Sequence, residues 1–441
     1  MTSTPVAPTA VGLPPGPRWP AWLSTYRFIR SRKQVMPELH RRFGDPFTVR
    51  ILPGPRNLVV ISDPAVIKEV FASDPHDFHA GEGNQILEPV MGPRSLLLVD
   101  DEEHTRARRL LMPAFTGPAL RGYRTMVDEI AAAEVATWRD GEVVPTLDRM
   151  NAITLNVILR VVFGVTDGAR LDALRPRVRR MVNVGPLLLL GWQYARASNL
   201  PPWRGYFRNQ DRVDAILYDE IAERREAGDI DDRSDVLSRL LRAGHDDSDT
   251  EVLSDAELRD QLVTLLMAGH ETTASALSWT LHELGRHPDL RKRAIAAADA
   301  GDDTFLEACM KEAMRLHPII DFVARRLKSD QLVGGRLLPK GTVVTPSIML
   351  SHALNFEDAD EFRPDRFLDG PVSHNIWIPF GGGVRRCIGA AFSLMEGAAI
   401  LGEILRHFDF EADAPASNRL RNITNVPGDG APLRLRARSG N

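Results

Sequence analysis

The chain has 441 residues of ordinary globular composition, with 43% hydrophobic and 26% charged residues. A net charge of −4 and an isoelectric point near 6.3 do not fit a nucleic-acid-binding protein, since such domains are strongly basic on at least one face. The two cysteines, Cys309 and Cys387, exclude a disulfide framework and indicate a reducing compartment.

The N-terminus predicts neither a signal peptide nor a membrane anchor. Residues 1–12 are rich in Thr, Pro and Ala and lack a basic region followed by an apolar stretch. No window approaches the roughly 18 apolar residues of a spanning helix. We therefore expect a cytoplasmic protein without a stable membrane anchor. Residues 1–18 predict a flexible lead, and residues 19–441 a single domain.

The order of the predicted elements indicates a mainly α protein. Residues 47–63 have strand character, and residues 102–315 are mostly helical in pattern. Short strand signals return after Pro318, a last helix is predicted at about 389–407, and a strand-like tail covers 433–438. One mainly α domain with a small β-rich portion at its edge accounts for this order.

One predicted helix is unusually long. Ser254 and Glu257 form a capping-box start, and apolar residues recur to about Leu284. This length corresponds to about 45 Å. Its centre, residues 268–273, combines glycine, a carboxylate and paired hydroxyls, which are locally unfavourable in a helix. We therefore interpret this patch as functional and expect a local distortion of the helix there.

A glycine- and arginine-rich loop precedes the last helix. Residues 380–389 read Phe-Gly-Gly-Gly-Val-Arg-Arg-Cys-Ile-Gly. Glycines allow a tight turn, and both Arg385 and Arg386 and the dipole of the following helix favour a thiolate at Cys387. A buried structural cysteine is the alternative that these local features leave open.

Position for position, Phe380, Gly381, Gly383, Arg385, Cys387 and Gly389 resemble the haem-binding loop of cytochromes P450. The resemblance implies the family's helical triangular prism with one haem b. It also implies that Cys387 is the axial thiolate of the iron and that Arg385 binds a haem propionate. Phe380 and Gly381 would form part of the loop that packs against the cofactor.

Two further pairs occur in the order that the family shows. Glu312 and Arg315, followed by Arg366, resemble its structural ion network behind the haem loop, although such spacing alone is typical of surface salt bridges. His104 and Arg108 lie on one helical face. One interpretation is that they are simply part of a basic surface stripe. The resemblance instead implies that His104, Arg108 and Arg325 bind the haem propionates.

The patch at 268–272 resembles the family's oxygen-activation motif. Ala268 would then lie against the haem, and Thr272 would hold water or oxygen beside the iron. Glu271 would belong to the proton relay from solvent, whereas His270 is assigned no chemistry. Met267 would face the substrate pocket.

Ile320 and Asp321 follow Pro318 in a segment that family members place beside the pocket. A carboxylate among apolar residues is costly unless it is paired or hydrated. One interpretation is that Asp321 caps a turn or pairs with Arg326. The other is that it anchors an amine or hydroxyl of the substrate, with Ile320 shaping the space above the iron.

The resemblance implies a monooxygenase that inserts one oxygen atom from O2 into an apolar small molecule. Electrons would come from a separate ferredoxin or flavodoxin with its NAD(P)H reductase, docking near Arg106, Arg109 and Arg386.

Segments 72–100 and 180–210 would cover the substrate. The second segment is apolar, which core packing or weak membrane contact would also explain. Peroxygenase, coupling or isomerase chemistry, or a non-catalytic haem sensor, are the alternatives.

Other patterns lack the spacing of known sites. His282, Glu283 and His287 miss the zinc motif His-Glu-x-x-His by one residue. The alternating acids Asp247, Asp249 and Glu251 lack the glycine of a calcium loop. Cys309 is predicted to be a core residue.

Overall fold

The computed structural model describes residues 10–52, 56–164, 168–182, 199–243, 253–421 and 423–438. The acidic residues at 247–251 and most of the apolar segment at 180–210 lie outside these ranges. The helices are α1 (Ala21–Phe43), α2 (Pro64–Ala72), α3 (Ala80–Gly83), α4 (Glu88–Met91), α5 (Asp101–Leu111), α6 (Gly117–Val135), α7 (Thr146–Phe163), α8 (Gly168–Val182), α9 (Trp203–Glu226), α10 (Val236–Arg242), α11 (Asp255–Arg286), α12 (Pro288–Ala300), α13 (Asp303–Leu316), α14 (Ile348–Leu354) and α15 (Ala390–His407).

The strands form small sheets beside the helices. They are β1 (Ala10–Val11), β2 (Phe47–Ile51), β3 (Arg56–Ile61), β4 (Phe78–His79), β5 (Val143–Pro145), β6 (Arg325–Leu327), β7 (Gln331–Val333), β8 (Arg336–Leu338), β9 (Val343–Pro346), β10 (Phe408–Glu411), β11 (Asn418–Arg421), β12 (Thr424–Pro427) and β13 (Pro432–Ala437). The largest sheet has the order β2-β3-β9-β6-β4, and the others are β1-β8-β7, β10-β13-β5 and β11-β12.

Helix α11 is the long helix expected from the capping box. Ser254 and Glu257 make both bonds of that box. The helix is buried over most of its length and packs against α7, α13 and α15. Gly269 faces Ile158 on α7 so closely that a Cβ at this position would lie 2.9 Å from the Ile158 side chain. Helix packing therefore accounts for the glycine that we attributed to function.

The ion network behind the cysteine loop is present. Two nitrogens of Arg315 lie 2.7 and 2.9 Å from the carboxylate of Glu312, and Nε of Arg366 lies 3.1 Å from it. Both Glu312 and Arg315 are buried. Arg315 also donates to the carbonyls of Ala359 and Glu361, so the pair joins α13 to the segment that precedes the loop.

The predicted flexible lead is wrong for its described part, residues 10–18. Strand β1 pairs in parallel with β8. Thr48 donates through its N–H to the carbonyl of Pro15, at 2.9 Å, and through its hydroxyl to that of Pro14, at 2.8 Å. These hydrogen bonds attach the segment to the sheets.

Among the described residues, no helix has both the length and the hydropathy needed to span a bilayer.

Candidate haem site

The loop that carries Cys387 turns back on itself before α15. The N–H of Cys387 donates to the carbonyl of Phe380, at 2.9 Å. Gly381 and Gly383 have φ angles of +65° and +63°, which favour glycine. Side chains at Gly382 or Gly383 would overlap Phe71 of α2. The glycines are therefore required by both the turn and the packing of α2 against the loop.

Cys387 is an exposed residue, although many protein atoms lie around its thiol. Burial raises the pKa of this thiol, and three features oppose the rise: the N–H of Gly389, Arg386 and Arg108. Gly389 is also the N-cap of α15, so the positive end of this helix lies beside the sulfur. Metal coordination deprotonates such a thiol, and these groups would stabilise the resulting anion.

Four basic side chains converge next to the cysteine loop. Burial lowers the pKa of His104 to about 3, with further lowering by Arg385, Arg108 and Arg325. The pKa of Arg325 falls to about 10, first through burial and then through Arg385. His104 is therefore neutral, and the three arginines form a partly buried group of like charges, which is unfavourable unless an anion accompanies it. Two carboxylates of one ligand would meet this need.

Backbone carbonyls and the carboxylate of Asp100 hold this cluster of basic side chains in place. Asp100 was not predicted from the sequence. Arg385 donates to the carbonyls of Val99 and Leu96, at 2.6 and 3.3 Å, and pairs with Asp100. The carboxylate of Asp100 also accepts from the N–H groups of Gly81 and Glu82. Because this carboxylate serves several donors, it only partly neutralises the cluster. Nothing in the local sequence around Asp100 indicated this role.

Arg325 lies between the loop and α2. It donates to the carbonyl of Gly382, at 3.4 Å, and its guanidinium lies 5.9 Å from the centre of the Phe71 ring. A Cβ at Gly381 would lie 3.5 Å from the side chain of Val323, which is van der Waals distance. The segment of Arg325 therefore runs along the cysteine loop.

The central patch of α11 stays helical throughout, so the expected distortion is not seen. The hydroxyl of Thr272 donates to the carbonyl of Ala268, at 2.8 Å. Ala268 is exposed and Met267 half-buried, although most of the helix is buried. These residues mark an accessible face within a largely covered helix.

Glu271 lies on a different side of α11. It is buried, and its Oε1 lies 3.2 Å from Nε of Arg421 on β11. His270 is also buried, donates through Nδ1 to the carbonyl of Leu266, and has its pKa lowered to about 4 by burial. Arg421 is a partner that sequence spacing could not indicate, because 150 residues separate the two groups.

The segment at 94–96, within the expected substrate loop at 72–100, is fastened to α11. Asp260 and Gln261 accept from the N–H groups of Arg94 and Leu96, each at 3.0 Å. Gln261 also donates to the carbonyl of Arg94, at 2.6 Å, and the hydroxyls of Thr264 and Ser95 are 2.6 Å apart. We refer to these bonds as the 94–96 clamp.

The hypothesis that Asp321 contacts the substrate is wrong. Its carboxylate is buried, pairs with Arg32 of α1, and accepts from Nδ2 of Asn425, at 2.7 Å. Pairing with Arg326 is wrong too, since that side chain lies 3.5 Å from Glu82. The adjacent Ile320 is half-buried against the hydrophobic cluster of the largest sheet.

The remaining predicted residues have varied surroundings. Arg109 and Arg386 are exposed, but Arg106 is half-buried and pairs with Glu257, at 2.7 Å, so it does not project freely. Cys309 is a core residue, as predicted. Nε2 of His282 accepts from the N–H of Ala416, at 3.1 Å.

The arrangement fits a haem with a thiolate ligand. The exposed Cys387 lies in an electropositive loop, three arginines and the neutral His104 lie beside it, and a helix presents small and hydroxyl side chains.

Comparison with known proteins identifies the family. The family model described as Cytochrome P450 matches residues 13–427. Putative cytochrome P450 135A1 of Mycobacterium tuberculosis is 51% identical over 429 residues, covering 96% of this chain and 95% of the relative. Putative cytochrome P450 138 of Mycobacterium bovis is 36% identical and covers 99% of each chain.

Solved structures agree. The retinoic acid-bound cyanobacterial CYP120A1 has a TM-score of 0.83 at 25% identity, covering 97% of this chain and all of that one. The haem domain of cytochrome P450DA has a TM-score of 0.80 at 27% identity and covers 98% of each chain. The mainly α fold predicted from the sequence is thus confirmed, and the chain belongs to the cytochrome P450 family of haem-thiolate monooxygenases.

Proposed function

We propose that this cytochrome P450 inserts one atom of O2 into an apolar small molecule, with electrons from a separate ferredoxin or flavodoxin and its NAD(P)H reductase. The observation that carries the proposal is the thiol of Cys387 beside the cluster of His104, Arg108, Arg325 and Arg385. The accessible hydroxyl patch on α11 supports the same reading. We further propose that the enzyme is cytoplasmic.

Cys387 would ligate the iron, and His104, Arg108, Arg325 and Arg385 would bind the propionates. Thiolate-ligated haem b supplies the activation of O2, because the thiolate pushes electron density that favours O–O cleavage. Phe380, Gly381 and Ala268 would pack against the cofactor. We also propose that residues 19–441 form one domain, to which residues 10–18 are attached by β1.

Thr272 and Glu271 would move protons. The hydroxyl of Thr272 now donates to Ala268, and a half-turn of its side chain would present that proton to a neighbouring acceptor. Glu271 is held by Arg421. Because it lies beside the half-buried strand β11, this carboxylate would accept a proton from hydronium in the solvent and pass it inward when its side chain rotates.

Electron donors would approach the face that exposes Arg109 and Arg386, on the side of the cysteine loop. Exposed arginines suit weak, electrostatically steered binding of an acidic donor. Arg106 is removed from this proposal because Glu257 already neutralises it.

An apolar substrate is supported by the lining that α11 contributes, with Met267 and Ala268. The structural neighbour that binds retinoic acid shows that a related fold accepts an elongated apolar ligand. We propose the same general class for this chain. Peroxide-driven, coupling or isomerase chemistry is the alternative within the family, and a non-catalytic haem sensor is the alternative outside catalysis.

Turnover tests the proposal directly. Purified haem-loaded protein is first screened for ligand-induced spectral shifts against lipids and natural products, and the best ligands are incubated with a surrogate ferredoxin, its reductase and NADPH. Product that carries one atom of ¹⁸O from ¹⁸O2 is expected. Product formed only with peroxide, or unlabelled rearranged product, would support the alternative chemistries, and binding without any product would support a sensor.

A further inference from the structure

Helix α1 exposes two large aromatic side chains. Trp22 and Tyr26 are 64% and 61% exposed, and their spacing of four residues puts them on one face of the helix. Leu52, 37% exposed, lies close by, because its N–H donates to the hydroxyl of Thr25, at 2.8 Å. The opposite face of α1 is buried against the β2–β3 side of the largest sheet, so this aromatic surface is fixed in place.

The surroundings of these aromatics are basic. Residues 1–37 contain no acidic residue, and their five basic residues are Arg18, Arg27, Arg30, Arg32 and Lys33. Because the whole chain has a net charge of −4, the remainder carries a net charge of −9. The segment that contains Trp22 and Tyr26 is thus basic, whereas the rest of the chain has a net negative charge.

Several of these cations lack a carboxylate partner. Arg18 and Arg30 are exposed, and no salt bridge to them occurs among the described residues. Exposed arginines elsewhere are commonly paired, as Arg293 is with Asp365 at 2.7 Å. Within the described ranges, the one salt bridge that a cation of α1 makes is that of the buried Arg32 with Asp321.

We propose that this surface, which we call the α1 face (Arg18, Trp22, Tyr26, Arg30 and Leu52), binds an anionic lipid bilayer. Indole and phenol rings have an apolar body and a polar tip, which suits the boundary between headgroups and acyl chains. Unpaired arginines near a bilayer are attracted by anionic headgroups. Together they form a reversible interfacial contact without any spanning segment.

Two other occupants fit the α1 face less well. A second copy of the chain in a symmetric dimer would bring like charges together. A folded acidic protein would match the charge, but two exposed amphipathic rings beside arginines are the combination that the headgroup boundary favours. The contact does not depend on the proposed oxidation, although it would place the enzyme where apolar molecules dissolve.

Vesicle sedimentation with the full-length, haem-loaded protein tests the proposal. We expect binding to vesicles of equal parts phosphatidylcholine and phosphatidylglycerol, little binding to phosphatidylcholine alone, and weakening by salt. Replacing Trp22 and Tyr26 together by Ala should lower the partition coefficient by on the order of tenfold or more. Arg18→Gln and Arg30→Gln should each lower it about fivefold.

Matched controls lie on α9. Tyr218, 41% exposed, and Arg212, also exposed, are changed to Ala and Gln, and vesicle binding should persist. Equal binding to both vesicle types, no binding, or binding unaffected by the α1 substitutions would overturn the proposal. The proposal would also be overturned if the protein dimerised in sedimentation velocity and Trp22→Ala abolished the dimer. A further contrary result would be that the α1 substitutions weaken binding to an acidic electron donor but not to vesicles. The carbon-monoxide spectrum of each variant reports separately on the haem site.

Discussion

Arg32 of α1 and Asp321, which lie far apart in sequence, form an ion pair whose side chains are only 10% and 2% exposed. The pair joins the N-terminal helix to the segment that continues into Arg325. Asn425 completes it, donating to Asp321 at 2.7 Å and lying 3.3 Å from Arg32. This carboxylate therefore acts in folding.

Asp321→Ala should destabilise the fold by about 3–5 kcal/mol, because it leaves the buried charge of Arg32 without a partner. Denaturant unfolding measures the loss, and ligand-induced spectral shifts should keep their midpoints in the folded fraction. Asp369→Asn, at an exposed position, is the control and should leave stability unchanged. Weaker ligand binding at normal stability would restore the substrate-anchor hypothesis.

Cys387→Ala should abolish the strongly red-shifted Soret band of the reduced, carbon-monoxide-bound protein, because that band requires a thiolate on the iron. Cys309→Ala is the matched control, since Cys309 is a buried core residue, and its spectrum should be normal. A normal band in the Cys387 variant would end the haem-thiolate assignment.

Arg325→Gln should release haem about 10- to 100-fold faster, since a charged hydrogen bond to a propionate contributes about 1.5–3 kcal/mol. Transfer of haem to apomyoglobin measures the rate. The neighbouring Arg326→Gln is the control, because that side chain pairs with Glu82 and not with the cation cluster. Equal release rates in both variants would remove Arg325 from the propionate site.

Thr272→Ala should keep haem and substrate binding while diverting electrons to hydrogen peroxide. Loss of a proton-transfer group typically costs about 10²–10⁴ in rate. The ratio of product formed to NADPH consumed is the measurement, and Thr280→Ala, whose hydroxyl donates to Ala276 further along α11, is the control. Unchanged coupling would mean that another hydroxyl or an ordered water does this work.

His352 should make stability fall in acid. Burial lowers its pKa to about 3, whereas an unfolded histidine titrates near 6.5. The stabilisation is therefore complete above about pH 6.5 and is lost as the pH falls toward 3, by up to about 1.4 kcal/mol per pH unit. Protonation would also break the bond in which Nε2 accepts from the N–H of Ile378, at 3.1 Å.

Urea unfolding at several pH values checks this. His352→Leu should be less stable at pH 7 but lose less stability on acidification than the unchanged protein. His374→Gln, at an exposed position, should retain the original pH dependence. Parallel curves for the His352 variant and the unchanged protein would contradict the assignment.

Local sequence predicted the features that depend on local contacts. The capping box located the start of α11, and the glycines of the cysteine loop indicated its turn, because both arise within a few residues. The family motif likewise predicted the Glu312–Arg315 pair.

Partners distant in sequence could not be predicted. Arg32 for Asp321, Arg421 for Glu271 and Asp100 for Arg385 depend on how separate elements pack. No periodicity records such packing. For the same reason Gly269 looked functional, although Ile158 on another helix explains it.

The 94–96 clamp has a consequence for how ligands enter. Its four hydrogen bonds, at about 1 kcal/mol each, would all have to break before this segment could swing away from α11. At equilibrium the swung-out form would then make up about one molecule in a thousand. If the segment lines the substrate pocket, as the family resemblance implies, a ligand that needs the swung-out form would bind about a thousandfold more weakly than one that fits beside the clamp.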